Sequence, residues 1–150
     1  MTLNELITKH NFITKIAFKS DDEEMKKDLK VKIMTMRIEM GKIRKQFEED
    51  SREAAEGLMP EGYKELAQKQ DKSEAEKVVF DKQTQELNDA YREYVIKKGQ
   101  EEVTGKHVTD TFTEDEFEEI VATNGGLEVD INGTKLSGPD FLEVINSLFS

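Results

Sequence analysis

The 150-residue sequence contains no cysteine and no tryptophan, and it has only two prolines. The absence of cysteine excludes disulfide bonds, cysteine-ligated zinc and thiol nucleophiles. No apolar run is long enough to span a bilayer. Residues 1–9 lack the basic region and long apolar core of a signal peptide. We therefore expect a soluble chain without a membrane segment or leader, in a reducing or neutral compartment.

Apolar residues are also scarce. Hydrophobic residues make up 35% of the chain, aromatic residues 7% and charged residues 37%. An average globular domain is more apolar and less charged. Long helices that bury only one stripe each need a smaller core than a compact domain of this length, so the composition favours an elongated helical protein.

The net charge of −11 is distributed unevenly along the chain. Residues 1–56 carry twelve basic and twelve acidic side chains, whereas residues 99–150 carry two basic and twelve acidic ones. An acidic final third argues against direct nucleic-acid binding. It favours a cationic partner or serves solubility alone.

Two stretches place apolar residues at alternating spacings of three and four. The first seam is Ile33, Met36, Met40, Ile43 and Phe47, extended upstream by Met25 and Leu29; the second seam is Phe80, Thr84, Leu87, Tyr91 and Tyr94. This spacing predicts two long helices that pack side by side along these residues.

Capping motifs predict where the two long helices begin. Ser20, with Glu23 three residues later, predicts the start of a helix that runs to about Glu56. A second helix is predicted to start at Asp71 or at Ser73, which has Glu76 three residues later, and to run to about Lys98. The break at residues 57–62 favours an antiparallel hairpin in which the seams face each other. A parallel homodimer through the first seam is the alternative.

The final segment combines helix and strand signals. Thr113 predicts a helix start, Asn132-Gly133 between alternating apolar residues predicts a β-hairpin, and Pro139 lies in the first turn of a last helix. About 40 residues are at the lower limit for independent stability, so this tail is expected to dock within the chain or on another subunit.

The predicted fold class is mainly α. It comprises an N-terminal amphipathic helix (1–19), a long antiparallel helical hairpin (20–98), a connector (99–112) and an acidic helix–β-hairpin–helix unit (113–150). We expect the seams to pack the hairpin and the two ends to bind partners. The end residues expected to do so are Phe12, Phe18, Phe141, Leu142, Ile145 and Phe149.

No motif predicts catalysis, a cofactor or a metal site. The stretch from Asp130 to Thr134 is similar to the start of an EF-hand loop, but Lys135 and Phe141 occupy the positions that need glycine and glutamate. His10 and His107 have no companion at metal-ligand spacing. Basic residues of the first long helix alternate with acids and are typical of the outer face of a coiled coil. They are Lys26, Lys27, Lys30, Lys32, Arg37, Lys42, Arg44 and Lys45.

The order of parts resembles small uncharacterised helical proteins encoded in the genomes of tailed bacteriophages. The matching parts are a short helix at residues 3–18, a charged helix at 33–56, a second helix at 80–94 and an acidic segment at 112–120. The resemblance covers residues 1–120 and carries over no functional residue. It implies a virion component or assembly factor, in the virion or host cytoplasm, that binds larger virion proteins or itself.

The acidic tail allows a different function. A small inhibitor or nucleic-acid-mimicking decoy would present carboxylates to a basic site on its partner. The residues that would carry this activity are Glu114, Glu116, Glu118 and Glu119.

Overall fold

The computed structural model describes residues 1–150 and is mainly helical. The helices are α1 (Leu3–Ile13), α2 (Lys27–Gly57), α3 (Tyr63–Gln68), α4 (Glu74–Gly99), α5 (Glu114–Asn124) and α6 (Gly138–Phe149), and the strands are β1 (Val129–Ile131) and β2 (Thr134–Leu136). The predicted fold class is confirmed. No helix combines the length and apolar character that a membrane span requires.

Local capping motifs form at three helix starts, two of which, at Ser73 and Thr113, are predicted from the sequence. Thr2, Ser73 and Thr113 each accept a hydrogen bond from the backbone N–H three residues later, and a glutamate at that position accepts one from the cap residue. These reciprocal bonds satisfy backbone donors that a helix start otherwise leaves unpaired.

The helix start predicted at Ser20 is wrong, because α2 begins at Lys27. The Ser20 hydroxyl does accept from the Glu23 N–H (3.2 Å), but Lys19 and Glu24 pair as an isolated bridge that closes a turn instead of a helix. The Lys26 N–H then donates to Glu119 Oε1 of α5 (3.1 Å). A tertiary contact therefore fixes where α2 starts. Likewise α1 ends at Ile13, short of the predicted Phe18.

The chain divides into two compact units. The first unit comprises Met1–Arg44 and Glu102–Ser150, and the second comprises Lys45–Glu101. This differs from the predicted division at residues 20, 99 and 113, since α2 contributes residues to both units. The predicted N-terminal helix, the connector from Glu102 onwards and the tail lie together in the first unit because each is too small to enclose a core of its own.

All fully buried apolar side chains belong to the first unit. The Phe12 ring stacks on Phe141 with centroids 6.0 Å apart, and the Phe112 ring lies 5.3 Å from that of Phe149. The tail thus docks within its own chain. The core consists of Leu3, Leu6, Ile13, Ile16, Met25, Leu29, Ile33, Met36, Met40, Val108, Phe112, Ile120, Val129, Phe141, Leu142, Ile145 and Phe149.

A buried asparagine ties α5 to the segment that follows α1. Asn124 is fully buried; its Oδ1 accepts from the Ala17 N–H (2.8 Å) and its Nδ2 donates to the Ala17 carbonyl (3.1 Å). The same Nδ2 lies 2.9 Å from the Ile120 carbonyl. Asn124 is therefore the last residue of α5 and also pairs with both backbone polar groups of Ala17.

The predicted β-hairpin is confirmed. β1 and β2 pair antiparallel with Ile131 opposite Thr134, and the turn residues Asn132 and Gly133 have φ of 51° and 85°. These positive values are those of the two-residue turn that Asn-Gly favours. The Asp130 carboxylate accepts from the Gly133 N–H (2.8 Å), so it closes the turn.

The second unit contains a short helix that no apolar periodicity indicates. α3 places the Tyr63 ring on Phe80, with centroids 5.3 Å apart, and the Tyr63 hydroxyl 3.1 Å from Thr84 Oγ1. The start of the second seam is thus covered by α3. No apolar side chain of this unit is fully buried.

Candidate protein-binding surfaces

The end residues predicted to bind partners lie largely in the core. Phe141, Leu142, Ile145 and Phe149 are buried, so their prediction as an accessible surface is wrong. The remaining two, Phe12 and Phe18, are half-buried. The cause is the small size of the tail, which reaches stability by covering α1 instead of a second protein.

The first seam is split between the two units. Ile33, Met36 and Met40 are fully buried inside the first unit, while Ile43 and Phe47 are half-buried. The second seam lies wholly in the other unit. The buried part of the first seam is therefore core of the first unit, which leaves no room there for a second copy of α2.

Several residues of the predicted outer basic face bind within the chain instead. Arg37 donates from Nε to the Ile13 carbonyl (2.9 Å) and from Nη2 to the Ile16 carbonyl (2.6 Å), and burial lowers the pKa of its guanidinium. Lys32 donates to the Thr111 carbonyl (2.6 Å) and to Glu116 (2.8 Å). These two cations therefore bond groups inside the first unit and help to hold it together.

A second apolar row lies on the opposite side of α2. Val31, Met34 and Ile38 are 53%, 48% and 55% exposed, and we call these three residues the outer stripe. Lys27 and Lys42 are exposed at its two ends. Grooves of about 400 and 410 Å³ run beside it and share Thr35 in their walls. The same spacing of three and four in the sequence marks this row.

A cleft of about 610 Å³ opens on the first unit between residues 19–23 and the end of α5. Ala122 and Leu127 line it, and Asp21, Asp22 and Glu23 form its acidic rim. Leu127 is exposed, as is Val121 in the last turns of α5. We call this concave surface, with an apolar lining and carboxylates around it, the acidic cleft.

The second seam forms a third surface. Phe80, Leu87, Tyr91 and Tyr94 are all half-buried, and the rings of Tyr91 and Tyr94 stack with centroids 6.5 Å apart. The small number of helices in this unit cannot enclose these side chains. The second seam therefore remains partly open to solvent along α4.

The carboxylates of α5 divide into two groups. Glu116 and Glu119 act inside the first unit, through Lys32 and through the Lys26 N–H. Partial burial by itself would raise the pKa of Glu116, but hydrogen bonds from Lys32 and the Thr113 backbone outweigh it and lower the pKa. Glu114 and Glu118 are exposed. Only half of the predicted decoy residues thus face solvent freely.

Neither histidine has a metal-binding environment. His107 Nδ1 lies 2.9 Å from Asp110 Oδ2, and His10 Nδ1 lies 3.2 Å from Arg44 Nη1. No three or more His, Asp or Glu side chains are grouped so that they could hold a metal ion. Comparison of the chain with family models, curated proteins and solved structures gave no significant match.

Proposed function

We propose that this protein is a non-enzymatic structural or assembly component of a bacteriophage particle that works through contacts with other proteins. The observation that carries the proposal is the half-buried second seam on α4. Its attribution to a phage particle rests on the order of helices along the sequence, which resembles that of small phage-encoded proteins.

The second seam is an apolar surface that a further helix could cover. α4 has 26 residues, and half-buried aromatic rings recur along it. Tyrosine is enriched in protein interfaces because its ring is apolar and its hydroxyl can stay hydrated. A further helix laid along Leu87, Tyr91 and Tyr94 would bury the area that this unit leaves in water.

The decoy hypothesis has its own supporting observation, the exposed Glu114, Asp115 and Glu118 in the first turns of α5. The surface is smaller than the sequence predicts because Glu116 and Glu119 are engaged internally. A decoy with Glu114→Gln and Glu118→Gln would lose partner affinity and its salt dependence. Under the main proposal the same variant keeps its partner.

The test is purification of intact particles by density gradient from cells that produce this chain with the rest of its genome. Quantitative mass spectrometry should find a fixed copy number per particle, or a stable complex with an assembly intermediate. Tyr94→Ser should lower the copy number with an unchanged circular dichroism spectrum. Lys82→Ala, an exposed change on the same helix, should not. A monomeric chain that is absent from particles and intermediates would contradict the proposal.

A further inference from the structure

The outer stripe and the acidic cleft match each other in shape and in charge. The stripe is a convex helix face with three exposed apolar side chains and a lysine at each end. The cleft is concave and has Ala122 and Leu127 in its walls. It carries three carboxylates and one lysine, Lys19, so that its charge is negative overall. Specific protein contacts typically have an apolar centre and a charged rim. The two partners fit each other in shape, and their rims carry opposite charges.

Pairing of two outer stripes with each other is disfavoured by their own charges. An antiparallel arrangement centred between Met34 and Thr35 sets Val31 of one copy against Ile38 of the other. The same symmetry brings Lys27 opposite Lys42 at both ends, where two lysines outnumber the one exposed carboxylate, Asp28. Like charges placed directly opposite each other oppose association. A surface with an acidic rim avoids this repulsion, and this chain carries one.

We infer that the outer stripe of one copy docks in the acidic cleft of a second copy, so that the protein associates head to tail. The inference rests on the proposed function, since it names the chain itself as one of the protein partners. Stripe and cleft are different surfaces. After each copy is added, the assembly therefore still has one unoccupied stripe and one unoccupied cleft. Such a contact builds a ring if its rotation closes and a filament if it does not.

Sedimentation equilibrium of the full chain tests this directly. The contact is small, so association should develop between about 10 µM and about 1 mM, the range of weak protein contacts. The average mass should rise from 17.2 kDa and pass beyond twice that value. A wild-type chain that stays monomeric at the highest concentration overturns the inference.

Two variants separate head-to-tail docking from symmetric pairing. The stripe variant carries Met34→Asp and Ile38→Asp, and the cleft variant carries Asp22→Lys and Leu127→Lys. All four side chains are exposed, so circular dichroism should show an unchanged fold. Each variant alone should remain monomeric. An equimolar mixture should form dimers and nothing larger, because one intact stripe can still meet one intact cleft.

Val78→Asp is the matched control, since Val78 is 68% exposed and lies in the second unit. It should associate like the wild type. A cleft variant that associates fully, while the stripe variant does not, would show symmetric pairing and overturn the inference. A monomeric chain that still enters particles refutes head-to-tail docking alone. A self-associating chain found in no particle or intermediate refutes the proposed function alone.

Discussion

Replacement of Asn124 by alanine should destabilise the first unit by about 2–4 kcal/mol. The change removes both hydrogen bonds to Ala17, at 2.8 and 3.1 Å. The Ala17 N–H and C=O then lose their partner. A buried polar group left without a partner costs about 1–3 kcal/mol, and because Ala17 is only half-buried its two groups fall in the lower part of that range.

Urea denaturation followed by circular dichroism gives the free energy of unfolding. With a slope of about 1–3 kcal/mol per molar urea, the midpoint should fall by about 1–2 M. Hydrogen exchange adds a local readout, because the Ala17 amide should lose protection together with residues 14–19. Asn124→Asp keeps the side-chain shape but has no N–H donor for the Ala17 carbonyl, so it should be at least as damaging at neutral pH.

Asn146→Ala is the control for this experiment. Asn146 is exposed on α6, and its replacement should change stability by less than about 0.5 kcal/mol. If Asn124→Ala behaved like Asn146→Ala and Ala17 stayed protected, Asn124 would not hold this segment in place. The contact between α5 and the chain after α1 would then depend on apolar packing alone.

Three further outcomes follow from other contacts. Gly138→Ala should cost about 1–3 kcal/mol in urea denaturation, because a Cβ would overlap the Gly125 carbonyl, whereas Gly126→Ala meets nothing and should be neutral. Arg37→Lys should lower stability by about 1–3 kcal/mol because the single Nζ of lysine replaces two separate donor atoms, Nε and Nη2, that are spaced to reach the two carbonyls; equal stability would show that one bond suffices. Hydrogen bonds from Lys69 and Ser73 lower the pKa of Glu76 from 4.5 to about 2, so the stabilisation at the start of α4 is present above pH 4.5 and is lost as pH falls towards 2. Amide exchange at residues 73–77 should follow that window in the wild type and not in Glu76→Gln.

Features that depend on neighbouring residues could be predicted from the sequence. The capping boxes at Thr2, Ser73 and Thr113 need only residues three positions apart, and the Asn132-Gly133 turn needs only its own two residues. All of them form. Their hydrogen bonds close over short distances in the chain, so a tertiary neighbour has little influence on them.

Features that depend on distant residues could not be predicted. The Ser20 motif has the same local signal as Ser73, yet α2 begins seven residues after it because Glu119 bonds the Lys26 N–H. Arg37 has the spacing of a solvated helix face, yet it bonds the carbonyls of Ile13, the last residue of α1, and of Ile16 beyond it. In both cases the deciding partner lies more than twenty residues away.

The exposed apolar row of α2 could not be predicted from the sequence for a different reason. α2 carries one apolar row that includes Ile33 and Met36 and another that includes Met34 and Ile38, and both have the same helical period. Periodicity alone cannot tell which row faces the core. The first row is buried in the core of the first unit together with residues of α1, α5 and α6. The second row is therefore exposed to solvent.

An amphipathic helix with apolar residues on two sides needs a neighbour on each side to remove both from water. The chain supplies one neighbour to α2, and we infer that a second copy supplies the other. A contact of this size is weak by itself, but weak contacts become effective when several copies are held close together. A larger protein that binds the second seam would provide that proximity. Self-association in the particle should therefore depend on the second seam, and Tyr94→Ser should reduce crosslinking between outer stripe and acidic cleft in assembly intermediates while leaving self-association of the purified chain unchanged.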